Sequence, residues 1–172
     1  MKKLLLPFFF IGSMAMIVVM TKTGAILKTP QAPMGILNLE FAYNTIKTTT
    51  IINSWASINS VDVITVAKNN TYWDFLFLFF YAGFLFLAGK KIAANTAGIF
   101  SKAGNTIATG ALWAGFLDII ENTGMLLTLN NQGSSTIAFC TTIISIIKWV
   151  LALVAVLYVL VGLLVLAYRK MK

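Results

Sequence analysis

The chain has 172 residues, of which 59% are hydrophobic and only 10% charged, with a net charge of +8. A soluble domain carries about 25% charged residues; this chain cannot cover itself with polar surface, and its mean hydropathy of +0.87 points to lipid as its main solvent. Histidine is absent and Cys140 is the one cysteine, which excludes bis-histidine haem, most zinc and di-iron sites, imidazole acid–base chemistry, thiolate metal cages and an intrachain disulfide.

The first apolar run spans about 4–20, between Lys2-Lys3 and Thr21-Lys22-Thr23. It is read as a retained helix, with Pro7 tolerated in its first turns. A signal peptide is the alternative, but Gly24 and Ala25 make a poor cleavage site. A long loop follows, about Lys22 to Thr71. In it Leu37, Phe41, Ile51, Trp55 and Ile58 recur at roughly helical spacing, which predicts one or two amphipathic helices at about 30–70. Asn69-Asn70-Thr71 matches a glycosylation acceptor, a pattern that needs a surface loop. The second apolar run covers about 73–89 and closes on Lys90 and Lys91. The third covers about 105–129. The fourth covers about 141–167 and ends on Tyr168, Arg169, Lys170 and Lys172. Cys140, just before it, is read as a small buried hydrophobe.

Each run is near the ~20 residues that span hydrocarbon. The expected fold is therefore all-α: one polytopic membrane domain over residues 1–172, with four transmembrane helices and a helical outer loop between spans one and two. Basic residues punctuate the ends of the runs and do not form an aromatic-interleaved basic face, so nucleic acid is not an expected partner. Lys90, Lys91 and Lys102 lie between spans two and three, whereas Asn130 to Ser135 holds no charge. By the positive-inside rule the N- and C-termini and the second loop are cytoplasmic, and the first and third loops are outside.

Five acidic residues exist: Glu40, Asp62, Asp74, Asp118 and Glu121. Asp118 and Glu121 fall inside the third span, Lys148 inside the fourth, and Asp74 opens the second. A charge near the bilayer centre costs a few kcal/mol on the mildest scales, so these groups should be paired and should face protein or water. With a rise of ~1.5 Å per residue, Asp118 lies near the midplane, Glu121 about 7 Å toward the outside, and Asp74 and Lys148 roughly 9–10 Å toward the outside. Helix faces agree with these depths. Gly104, Ala108, Ala111, Gly115, Asp118 and Asn122 form one stripe of the third span, with Trp113 opposite. Ser145, Lys148, Ala152, Ala155, Val159 and Gly162 form one stripe of the fourth. Small residues in such stripes let helices approach closely in lipid. Asp74 and Tyr81 share a face of the second span, with Tyr81 near the depth of Asp118.

The segments Leu39-Glu40-Phe41-Ala42, Trp55, Trp73-Asp74-Phe75-Leu76-Phe77, Tyr81 and Leu117-Asp118-Ile119-Ile120-Glu121-Asn122 resemble a small family of uncharacterised bacterial four-helix membrane proteins. That resemblance implies no activity. It implies a bacterial inner (cytoplasmic) membrane, as do the short basic termini, and it implies that Glu40 joins the cluster at its outer mouth. A looser fold-level analogy runs to the EXPERA-type four-helix proteins, from which no residue is carried over.

The candidate site is thus an intramembrane polar cluster of Asp74, Tyr81, Asp118, Glu121, Asn122 and Lys148, with Glu40 added by the resemblance. The expected function is binding or moving a hydrophobic or cationic small ligand in an outer-leaflet polar pocket. No metal and no cofactor is expected. The alternatives are an accessory or assembly subunit of a larger membrane complex, where the charges are interhelical glue, and a carboxylate-based lipid-modifying enzyme. No nucleophile motif or phosphate loop supports the enzyme. A homo-oligomer is expected if the chain transports. The topology has a direct check: a fluorescent protein fused at the C-terminus should fluoresce, and alkaline phosphatase inserted at Gly133 should be active. The reverse pattern would invert the assigned orientation.

Overall fold

The structure, a computed structural model, describes residues 2–58 and 62–171. Residues 59–61, which belong to the expected outer loop, and Lys172 lie outside the described residues. The described residues form helices joined by short connections, with no strand among them: α1 (Lys2–Thr23), α2 (Leu37–Glu40), α3 (Thr45–Ala56), α4 (Val63–Ala94), α5 (Gly98–Leu127) and α6 (Ser135–Met171). Three helices are long and apolar enough to cross a membrane: Leu4–Thr23, Val63–Ala94 and Ser135–Arg169. With 30 residues α5 is as long, but Asp118, Glu121 and Asn122 interrupt its apolar stretch.

The helices begin and end outside the apolar runs that mark them in sequence. The second was expected from residue 73, yet α4 starts at Val63. Asp62 caps it, accepting from Thr65 N at 3.1 Å and from Thr65 Oγ1 at 2.6 Å. Those two bonds hold the Asp62 carboxyl below the usual carboxylate range. The fourth was expected from residue 141, yet α6 starts at Ser135, with Ser134 Oγ accepting from Ile137 N at 3.2 Å. Apolarity marks where lipid begins; caps mark where helix begins. The acceptor pattern Asn69-Asn70-Thr71 consequently sits within α4 and not in a loop. Asn70 is buried there, its Nδ2 donating to Met20 O and Thr23 Oγ1, both at 3.0 Å, which pins the end of α1. Cys140 is exposed, not buried. It lies on the outward face of α6 beside Phe139 and Ile143, which are exposed too.

α4, α5 and α6 pack on one another, and α1 packs along α4. Sequential neighbours run antiparallel. Asp74 near the start of α4 meets Asn122 near the end of α5, and Lys148 of α6 meets Asp118 and Glu121 of α5. Small residues set the spacing: a Cβ on Gly115 would come within 2.8 Å of the Ala82 Cβ, and one on Gly89 within 3.0 Å of Ala108 Cβ. α1 and α4 meet through aromatic rings, Phe9 against Phe79 and Phe80, and Phe10 against Phe84. The outward faces are apolar, with Leu164 71%, Leu157 61% and Trp113 58% exposed. A soluble monomer rarely shows apolar surface so continuous.

At one end the segment between α1 and α4 folds back over the bundle. Leu39, Ile51 and Trp55 join Val63 and Ala67 of α4 and Met125 of α5 in one buried cluster. Trp55 is fully buried and donates from Nε1 to Leu27 O at 2.7 Å. A second apolar cluster, with Leu85, Ile92, Ala111, Tyr158 and Val159, fills the opposite half. Between the two apolar clusters lies a layer of charge.

Candidate functional site

Lys148 is the centre of that layer. Its ammonium lies 3.0 Å from Asp118 Oδ1, 2.9 Å from Glu121 Oε1, 2.8 Å from Glu121 Oε2 and 3.6 Å from Glu40 Oε2. The Glu121 contact is thus two-pronged. All four residues are buried, Glu121 completely. α5 supplies two of the carboxylates because Asp118 and Glu121, three residues apart, share one helix face. α6 supplies the cation from the stripe that also carries Ser145, Ala155 and Val159, each buried.

Around this centre the remaining groups are held by single bonds. Tyr81 OH donates to Asp118 Oδ2 at 2.8 Å. Asn122 Nδ2 donates to Asp74 Oδ2 at 2.8 Å. The sequence-derived cluster is therefore one connected assembly, except that Asp74 and Asn122 form their own pair beside it. The depth estimate set Lys148 and Asp118 in different layers; the long lysine side chain closes that gap.

Glu40 comes from outside the spans. α2 is one turn long, and Glu40 is its last residue. Thr142 Oγ1 donates to the Glu40 carbonyl at 3.0 Å and Ser145 Oγ at 3.5 Å, while Trp149 Nε1 donates to Glu40 Oε2 at 3.1 Å. Burial pushes the Glu40 carboxyl above the usual range, an effect that Lys148 and then Trp149 oppose. Sequence reasoning missed Thr142 and Trp149. Trp149 is partly exposed on an apolar helix; no local signal in the sequence marks its indole as a donor.

The layer opens onto a cleft of about 500 Å³ between α1 and α6. α1 lines it with Phe10, Ser13 and Met14, α4 with Phe77 and Phe84, and α6 with Trp149, Leu153 and Leu160. Glu40, Asp74, Tyr81, Asp118 and Lys148 form its polar part. Glu121 and Asn122 stand behind them and do not line it. Such a volume lies within the range of small-molecule sites, which combine apolar walls with a few convergent polar groups. Among the described residues no group of three or more carboxylate or thiol side chains has a geometry that could hold a metal ion.

No protein-family model matches the chain, and no curated protein or solved structure matches it either.

The ion network makes a definite demand on Lys148. Lys148→Met leaves three carboxylates facing one another without their cation, and breaking a buried pair in this way costs about 3–5 kcal/mol. Thermal unfolding in mild detergent should show that loss. The loss should be smaller at acidic pH, where protonation relieves the repulsion. Equal stability of the variant and the wild type at neutral pH would contradict the assigned pairing.

Proposed function

We propose that the chain is a four-span membrane protein, both termini cytoplasmic, that binds a hydrophobic small ligand carrying positive charge in the cleft between α1 and α6. The observation that carries this reading is the cleft itself: apolar walls on the bilayer side and a carboxylate-rich inner end. α5 crosses with the other three helices because it is packed between α4 and α6, where its charges face protein and not lipid.

The chemistry of the inner end favours a cation. Lys148 already faces Asp118, Glu121 and Glu40, so it offers an incoming anion little. Asp74 accepts one hydrogen bond, from Asn122, and lines the cleft. Phe77 and Tyr81 stand beside it on the same helix, their rings tilted at 46° with centroids 5.1 Å apart. Aromatic faces next to a carboxylate suit an organic cation better than a hydrated metal ion. The apolar walls would take the ligand's hydrocarbon. Pure helix docking would need one acid per lysine, and the surplus acids are the feature it leaves without a role.

Tetraphenylphosphonium, a hydrophobic cation with no titratable proton, is a suitable probe. Saturation at a hundred times its Kd should stabilise the wild type by about 2.7 kcal/mol, read as a rise in Tm. Neutral triphenylphosphine oxide should give less, and Asp74→Asn should remain folded and lose most of the shift. No shift with the cation, or an undiminished one in Asp74→Asn, would move the charges to interhelical docking and the chain to an accessory subunit.

A further inference from the structure

The cation reading leaves an imbalance of charge to be settled before any ligand arrives. The charged and titratable groups facing the layer are Glu40 on α2, Asp74 and Tyr81 on α4, Asp118 and Glu121 on α5, and Lys148 on α6. The α1 wall contributes only the uncharged Ser13, and α3 contributes none. Four carboxyl groups thus face one ammonium, and every one of the five is at most 8% exposed. A net negative charge of that size is not held in a low dielectric; it is neutralised by a bound cation or by protons.

The geometry indicates where a proton sits. Glu40 Oε2 and Glu121 Oε2 both face the Lys148 ammonium, at 3.6 and 2.8 Å, which brings the two buried carboxyl groups together. Two carboxylates so placed share a proton, since both cannot ionise without strong repulsion. Glu121 is fully buried and takes the closer, two-pronged contact with Lys148, at 2.9 and 2.8 Å. Glu40, at 3.6 Å, is the farther from the ammonium. The proton therefore falls to Glu40, the carboxyl less well paired with Lys148, while Glu40 Oε2 keeps its bond from the Trp149 indole.

The same contacts connect this pair to the cleft. Lys148 touches Asp118, Glu121 and Glu40 together. Asp118 and Asp74 line the cleft. A cation arriving between them competes with Lys148 for Asp118. The lysine charge then acts more strongly on Glu40 and Glu121, and it favours their fully ionised state.

We propose that the site is an exchange site, in which entry of one monovalent organic cation into the cleft expels one proton held between Glu40 and Glu121. The inference rests on the cation-binding reading above. Charge balances: one positive charge enters, one proton leaves to solvent from Glu40, and Lys148 stays protonated. Binding is therefore favoured by the deprotonated site and strengthens as pH rises.

Calorimetric titration of the full chain in mild detergent with tetraphenylphosphonium tests this, run at one pH in two buffers of different ionisation enthalpy. The apparent enthalpies should differ by the equivalent of about one proton per cation bound, and Kd should fall about tenfold per pH unit until the pair is ionised. Glu40→Gln and Glu121→Gln, whose amides can replace the shared proton's hydrogen bond, should bind more weakly, without release and without pH dependence. Infrared difference spectra give a readout that does not need the variants to bind. Cation addition should bleach a protonated-carboxyl band in the wild type, and that band should be missing from unliganded Glu40→Gln. Equal enthalpies in the two buffers, with binding intact, would overturn the exchange and leave the binding site standing. Release that persists in both variants would overturn its assignment to this pair. A wild type that binds no cation at any pH would overturn the binding reading, and the exchange with it.

Discussion

One ammonium held by three carboxylates fixes how this bundle is assembled. In lipid there is no hydrophobic force between helices to choose one register over another; packing and polar contacts must do so. Lys148 meets Asp118, Glu121 and Glu40 in one position of α6 against α5 and α2. Sliding α6 by one turn, about 5.4 Å, would strand the charge among apolar side chains. The small-residue stripes permit many close approaches. The ion network selects the one in which Gly115 faces Ala82 and Tyr81 reaches Asp118.

The segment between α1 and α4 depends on the same interaction. Much of it joins an ordinary apolar core built on Trp55, but its contact with α6 is polar and converges on Glu40, through Thr142, Ser145 and Trp149. α2 is too short to hold itself as a helix. It keeps its place because its last residue is bound at both main chain and side chain. The cap over the bundle and the polar end of the cleft therefore share one residue. A change in the charge of that residue would be felt both by the cap and by whatever occupies the cleft.

Much of the helical character, and the identity of the buried charges, was legible because the bilayer imposes a simple rule. Long apolar runs mark α1, α4 and α6, and an ionisable residue within such a run stands out. The stripe carrying Asp118 was readable from spacings of three and four, which is why Trp113 was correctly set on the outward face. The boundaries were not legible, since Asp62 and Ser134 extend α4 and α6 by capping well beyond the apolar runs. The exposure of Cys140 was misjudged from its residue type alone; its position on α6, one residue after Phe139, decides the matter. The cleft could not be read at all. It exists because α1 leans on α4 and leaves α6 unpartnered on one side, a tertiary choice made by Phe9 and Phe10 against the α4 rings. The placement of Glu40 depends on hydroxyl and indole donors whose direction no sequence pattern encodes.

The central claim is that the surplus carboxylates serve an occupant of the cleft and not only the docking of helices. Asp74 separates these two roles, because it bonds to Asn122 and is not one of the three carboxylates paired with Lys148. Native mass spectrometry of the protein released from its own membrane, wild type beside Asp74→Asn, addresses it most directly. The expected result is an adduct of defined mass, carrying a cationic group, on the wild type and missing from a folded variant. The same adducts on both, or none on either, would contradict the claim and leave the charge layer as interhelical structure.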